Sequence, residues 1–175
     1  MFFKIPAVVC EIGLILFFFI SRVVYPYQFP TEPWDYLAFD GKALTLQSIS
    51  KEIKKSWKAD SGRPFTSPKH QSIKNWGPLP EGRYVVQINR TLRFSTATSW
   101  KEKVKWILRS PGWGLIATPL EPDFKTPNGR NGFLIHGGGW ILGSRGCIYL
   151  KSLNDDFHRV MTHYERNVWL VVEYE

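Results

Sequence analysis

Glycine and proline clusters cut this chain into short extended pieces. Asp40-Gly41, Ser61-Gly62-Arg63-Pro64 and Gly77-Pro78-Leu79-Pro80-Glu81-Gly82 are turn sequences with little freedom to be anything else. Between them lie runs rich in aromatic and aliphatic residues. The chain holds 14 Gly, 12 Pro, 8 Trp, 7 Tyr and 12 Phe in 175 residues, a balance that favours turns and strands. Long Ala/Glu/Leu-rich tracts are missing, which excludes a helical bundle. The expectation is a mainly β (α+β) domain with one or two helices packed on it.

Tyr36–Phe39 and Ala43–Leu46 flank Asp40-Gly41 as the arms of a hairpin with a two-residue turn. Further strands are expected at Lys54–Ala59, Arg83–Asn89, Gly114–Leu120 and Gly132–His136, with a polar loop running to Trp76. Trp100–Leu108 reads equally as a short helix or an irregular strand. Near the C-terminus Leu153, Phe157, Val160, Met161 and Tyr164 recur at helical spacing, with Ser152 as N-cap and Asp155-Asp156 in the first turn. Asn167–Tyr174 follows as an apolar strand.

The first 25 residues are of another kind. Ile5–Ile20 is apolar except for Pro6 and Glu11, and Arg22 closes the run. Extended through Tyr25, with Arg22 snorkelling, it reaches spanning length. A cleaved signal peptide has the same basic start and apolar middle, but no small-x-small cleavage pattern is present, which favours an uncleaved anchor through residues 5–24. Residues 26–33 carry three of the linker's prolines (Pro26, Pro30 and Pro33) and form a stiff connection to a domain over 34–175.

The net charge is +8, and the domain stays basic without its first thirty residues. A basic surface suits any polyanion. No zinc-finger spacing or aromatic RNP-like strand accompanies the charge, so nucleic acid is not an expected partner. His158 and His163 are five apart, off a common helical face, and no Cys or acid completes a metal set. No metal or other cofactor is expected.

Chemistry concentrates between Asn128 and Leu150, where half of all the glycines surround His136 and Cys147. Glycine lets the backbone turn sharply and direct amides at a ligand, as an oxyanion hole requires. An imidazole beside a thiol activates it by taking its proton. Cys10 lies in the apolar tract, so Cys147 is expected to be a free thiol, exposed after the Ser144-Arg145-Gly146 turn and quick to alkylate. The bland alternative for a lone cysteine is a small buried hydrophobe.

The order His136, Gly137-Gly138-Gly139, Ser144-Arg145-Gly146-Cys147 resembles the L,D-transpeptidases. The compact spacing is most similar to the type VI secretion L,D-transpeptidase effectors. Further markers are Phe39-Asp40-Gly41, Leu44-Thr45-Leu46, Ser61-Gly62, Gly77–Tyr84, Gly129-Arg130 and Ile135–Gly138. The likeness runs from about Leu37 to the C-terminus and is poor over 90–111.

This resemblance implies an L,D-transpeptidase-like β-sandwich and action on peptidoglycan stem tetrapeptides. Cys147 would be the nucleophile, His136 the base, and amides near Gly146 and Cys147 the oxyanion donors. Ser144 would hold His136 in its tautomer or shape the turn. Arg130 would orient the glycine loop or a substrate carboxylate, with Gly137 and Gly138 on the substrate side; Trp140 either lines the cleft or fills core, and Arg145 attracts a substrate carboxylate, lowers the thiol pKa or is an ordinary surface arginine. Arg145 departs from the pattern, since the wider family usually has a second His before Gly-Cys. The implied location is the periplasmic side of the bacterial inner membrane, or a target cell's periplasm for a secreted effector with an immunity protein as partner. A catalytically inactive wall-binding or interaction module is the alternative, and retention of both His136 and Cys147 argues against it.

Overall fold

The computed structural model describes residues 34–96, 99–101, 103, 104, 108, 114–138 and 143–175. The expected anchor, the linker and Trp140 lie outside the described residues. Among the described residues no helix is long and apolar enough to cross a membrane.

Among the described residues ten strands form the sheet: β1 (Tyr36–Phe39), β2 (Ala43–Gln47), β3 (Ile53–Lys58), β4 (Asp60–Ser61), β5 (Gly82–Val86), β6 (Leu92–Arg93), β7 (Ile116–Pro122), β8 (Phe133–His136), β9 (Ile148–Tyr149) and β10 (Val168–Val172). Their order is β3-β2-β1-β10-β5-β7-β8-β9-β4, with β6 added on β7. The first and last members of this path, β3 and β4, are separated in sequence by Ala59 alone. The sheet must therefore curl until its two ends meet. The sandwich implied by the resemblance is realised as one continuous sheet rolled on itself, which leaves fewer open edges.

Alternation along the strands fixes what faces inward. Leu37 and Phe39, Leu44 and Leu46, Tyr84 and Val86, and Val168, Leu170 and Val172 are all buried. The first hairpin has a three-residue connection, Asp40–Lys42, where two residues were expected. The Asp40 carboxylate explains the difference, because its Oδ1 accepts the amides of Lys42 (2.7 Å) and Ala43 (2.6 Å). The strand expected at Arg83–Asn89 stops at Val86, where the Gln87 amide donates to the Pro119 carbonyl and a 3-10 turn over Ile88–Arg90 begins. The described positions between Trp100 and Leu108 are helical.

The C-terminal helix α1 (Asn154–Met161) follows a 3-10 turn, Lys151–Leu153. Ser152 is not its N-cap. The 3-10 turn places Leu153 at that position, without a side-chain cap. Of the expected apolar stripe, Phe157, Val160, Met161 and Tyr164 are buried while Leu153 stays exposed. Phe157 meets Trp57 edge to face at 5.2 Å, and the Trp57 indole donates to Asp156 at 2.8 Å. Asn154 adds a second polar tie, its side-chain amide donating to the Ile116 carbonyl of β7 at 3.0 Å, and Lys55 of β3 pairs with Asp156 at 3.2 Å.

His158 lies on the buried side of α1, its Nδ1 3.4 Å from the Thr118 hydroxyl. Burial, with the nearby Arg93 charge, pushes its pKa down to about 3. A depressed imidazole pKa means the unfolded chain binds the extra proton. Stability is therefore full above the unfolded value of about 6.5 and is lost as pH falls towards 3. Between pH 6.5 and 5 the wild type is expected to lose roughly 2 kcal/mol through this group. Urea titrations of wild type and His158→Asn at several pH values measure it, and parallel pH dependence in the two proteins would sink the assignment.

Candidate active site

The parallel pairing of β8 with β9 positions the candidate residues His136 and Cys147. Ile135 pairs with Ile148 and His136 with Tyr149. Cys147, one residue before β9, stands beside Leu134 by the same register. Alternation then puts Leu134, His136, Cys147 and Tyr149 on one face of the sheet, joined by Ala117, the partner of His136 on β7. Cys147 and His136 are diagonal neighbours on adjacent strands.

The histidine's tautomer follows from its surroundings. His136 is buried, and its Nδ1 lies 2.8 Å from the Gly137 carbonyl oxygen. A carbonyl only accepts, so Nδ1 carries a proton, and in the neutral ring Nε2 then holds the lone pair. The Tyr149 ring lies 5.7 Å from the imidazole, and its hydroxyl donates to the Gly138 carbonyl at 2.5 Å. Tyr149 was not singled out in the sequence. The signal for it was present, since it follows Cys147 by two residues and a strand's period of two returns it to the same face.

Cys147 is a free thiol, as expected, but it is buried and not exposed. The turn before it folds inward, and the residue clusters with Ala117 and Leu134. Burial pushes the thiol up to about 11, while the Leu134 amide and the Arg130 charge act in the opposite direction. The thiol is therefore neutral at pH 7, and rapid alkylation is not what this environment supports. At pH 7 its thiolate fraction is roughly a hundredfold below that of a free cysteine. Iodoacetamide labelling of Cys147 is expected to be slow at neutral pH and still rising between pH 9 and 11. A plateau already reached below pH 8 would show a thiolate–imidazolium pair instead.

Ser144 organises the turn. Its amide donates to the Gly62 carbonyl (2.7 Å) and its Oγ accepts the Gly62 amide (3.1 Å). The same Oγ donates to the Cys147 carbonyl at 2.6 Å and accepts the Gly146 amide at 3.3 Å. Its single proton is spent on the turn, and the His136 Nδ1 proton is directed at Gly137. Of the two roles open to Ser144, this geometry serves turn-shaping. The Gly146 amide, committed to Ser144, is not a free oxyanion donor.

Arg130 is buried behind that turn. Its guanidinium donates to the carbonyls of Gln71, Pro78 (2.6 Å), Gly77 (2.9 Å) and Arg145 (3.3 Å). It also lies over the Phe133 ring at 5.3 Å. Its donors face backbone, which ties the Gly77-Pro78 turn to the one that carries Cys147. Gly146 lies against it at φ +108°, where a Cβ would come within 2.1 Å of the guanidinium. Only glycine fits there.

Gly137 is buried against the start of α1, where a Cβ would meet Asn154 at 2.6 Å. Gly138 borders a cavity of about 320 Å³ that Gly114, Leu115, Lys151, Asn154 and Asp155 also line. Arg145 is exposed at the tip of the turn. Among the described residues no group of three or more His, Cys, Asp or Glu is placed to hold a metal ion.

Comparison with known proteins matches most of this chain to a family. The Tlde1 domain model matches residues 60–174, leaving β1–β3 before it. Among solved structures, the helical cell shape determining protein Pgp2 from Campylobacter jejuni is similar with a TM-score of 0.50 at 16% identity, over 81% of this chain and 48% of that one. The L,D-transpeptidase from Xylanimonas cellulosilytica is similar with a TM-score of 0.46 at 13% identity, over 82% of this chain and 62% of that one. The likeness to Pgp2 is one of fold, and this chain spans about half of its length. No curated protein matches the chain. On the match over residues 60–174, the chain belongs to the Tlde1 domain family, within the L,D-transpeptidase superfamily.

Proposed function

We propose that this chain is a peptidoglycan-modifying cysteine enzyme that acts on stem tetrapeptides as an L,D-carboxypeptidase, an L,D-transpeptidase or both. The observation that carries the reading is the register that sets His136 beside Cys147 on one face, with Nε2 as the unprotonated nitrogen. Membership of the family supports the substrate class.

In this mechanism the neutral Cys147 thiol gives its proton to His136 Nε2 as Sγ attacks the carbonyl between the third and fourth stem residues. The C–N bond breaks, and His136 returns the proton to the departing amine of the terminal D-amino acid. Water or a second amine then attacks the thioester, again losing its proton to His136, and the thiol is regenerated. Because the Gly146 amide is occupied, the oxyanion falls to the Cys147 amide. Arg130 acts as a positioning residue through the turn. Gly138, which borders the cavity, belongs to the substrate side.

The domain works in a periplasm, either its own, held by residues 5–24, or a rival cell's as an antibacterial effector countered by an immunity protein. Mass spectrometry of muropeptides incubated with the full chain in detergent tests the reaction, since loss of the terminal D-amino acid or its exchange must be seen.

Arg145, exposed on the turn, holds an anionic group of the substrate. Arg145→Gln is expected to raise KM roughly fivefold with little change in kcat, the mark of lost uniform binding through a screened charge. A fall in kcat at unchanged KM would assign Arg145 to the thiol instead.

A further inference from the structure

The segment Gly62–Thr66 leaves β4 and lies against the turn that carries Cys147. Reciprocal bonds tie Gly62 to Ser144 at 2.7 and 3.1 Å. Gly143 fits so closely that a Cβ there would lie 2.5 Å from the Gly62 carbonyl oxygen and 3.0 Å from the Pro64 ring. The Thr66 amide and hydroxyl both donate to the Arg63 carbonyl, at 3.1 and 2.7 Å, and the Arg63 amide donates to the Trp76 carbonyl at 2.9 Å.

Within this closely tied segment Phe65 has φ +65° and a fully exposed ring. Both features oppose folding. A bulky residue in the left-handed region is strained where glycine is not, and an aromatic ring in water contributes no burial. Among the described residues none covers the ring, which leaves its face open to a ligand. Trp76, half exposed on the same flank and tied to Arg63, adds a second aromatic surface.

We propose that Phe65 is a glycan-docking residue, stacking on the C–H face of a pyranose in the polysaccharide that carries the stem peptide. The inference rests on the proposed function. A stem peptide's carboxylates call for cations, which Arg145 supplies on the neighbouring turn. An uncharged ring suits the neutral, C–H-rich sugar. The ties to Ser144 and Gly143 fix the spacing between this platform and Cys147, so that docking the sugar presents the peptide to the thiol.

Phe65→Gly separates this role from a structural one, because it removes the ring and the backbone strain together. The melting temperature is expected to stay level or rise. Binding of the full-length Cys147→Ala protein in detergent to insoluble peptidoglycan should weaken roughly fivefold when Phe65→Gly is added, the scale of one aromatic stacking contact. Phe65→Tyr should restore it. In the active protein, KM should rise for a disaccharide-tetrapeptide and stay constant for the free tetrapeptide. An equal KM change for both substrates, or unchanged binding to peptidoglycan, would overturn the glycan assignment. A melting temperature that drops in Phe65→Gly would make the ring structural. If the Phe65-bearing chain turns over neither substrate, the proposed reaction fails, while the binding comparison still decides the docking role.

Discussion

Cys147→Ala is expected to remove both trimming and exchange of stem peptides while leaving the domain folded. Every bond-making step in the proposed mechanism passes through Sγ, so loss of the nucleophile should lower turnover on the order of 10⁴-fold or more. The stability effect should be small by comparison. The residue is buried with Ala117 and Leu134, and losing one sulfur from that cluster costs about 1 kcal/mol. A normal circular dichroism spectrum with no muropeptide product is the expected pair of results. Wild-type product levels from Cys147→Ala would falsify the nucleophile assignment. Cys10→Ala, in the apolar N-terminal run, should change neither measurement.

The second large effect is on the fold. Arg130→Met should cost roughly 3–5 kcal/mol, because it leaves the Gln71, Gly77, Pro78 and Arg145 carbonyls without their shared donor. For a domain of this size that is a fall of about 10–15 °C in melting temperature. Arg130→Lys should fail almost as badly, since one ammonium cannot reproduce a planar fork that serves several carbonyls. Gly146→Ala attacks the same joint from the other side by driving a methyl group into the guanidinium. Thermal melts of the full chain in detergent measure all three. A loss below about 1 kcal/mol for Arg130→Met would show that water replaces the guanidinium at these carbonyls.

The longer strands were legible because their signals are local, whereas the two-residue strands β4, β6 and β9 were not. Alternating burial in Tyr36–Phe39 and Ala43–Gln47, and the 3.6-residue spacing of Phe157, Val160, Met161 and Tyr164, follow from backbone geometry that neighbours in sequence share. The closed order of the sheet was not legible. Pairing of β4 with β9 and of β1 with β10 joins residues 87 or more positions apart, and nothing in either segment names its partner.

The candidate site divides in the same way. The spacing of His136, the glycines and Ser144–Cys147, with the family resemblance it carries, brought the candidate residues into view. Whether the sulfur faces water, which nitrogen of His136 carries the proton, and what Arg130 grips were decided by tertiary structure alone. Those properties depend on groups supplied by Leu134, Gly137, Gly77 and Pro78, which lie beyond the Ser144–Cys147 turn. The pKa of a thiol is set by how far it is removed from water and by which charges and amides face it, and only the folded chain brings those together.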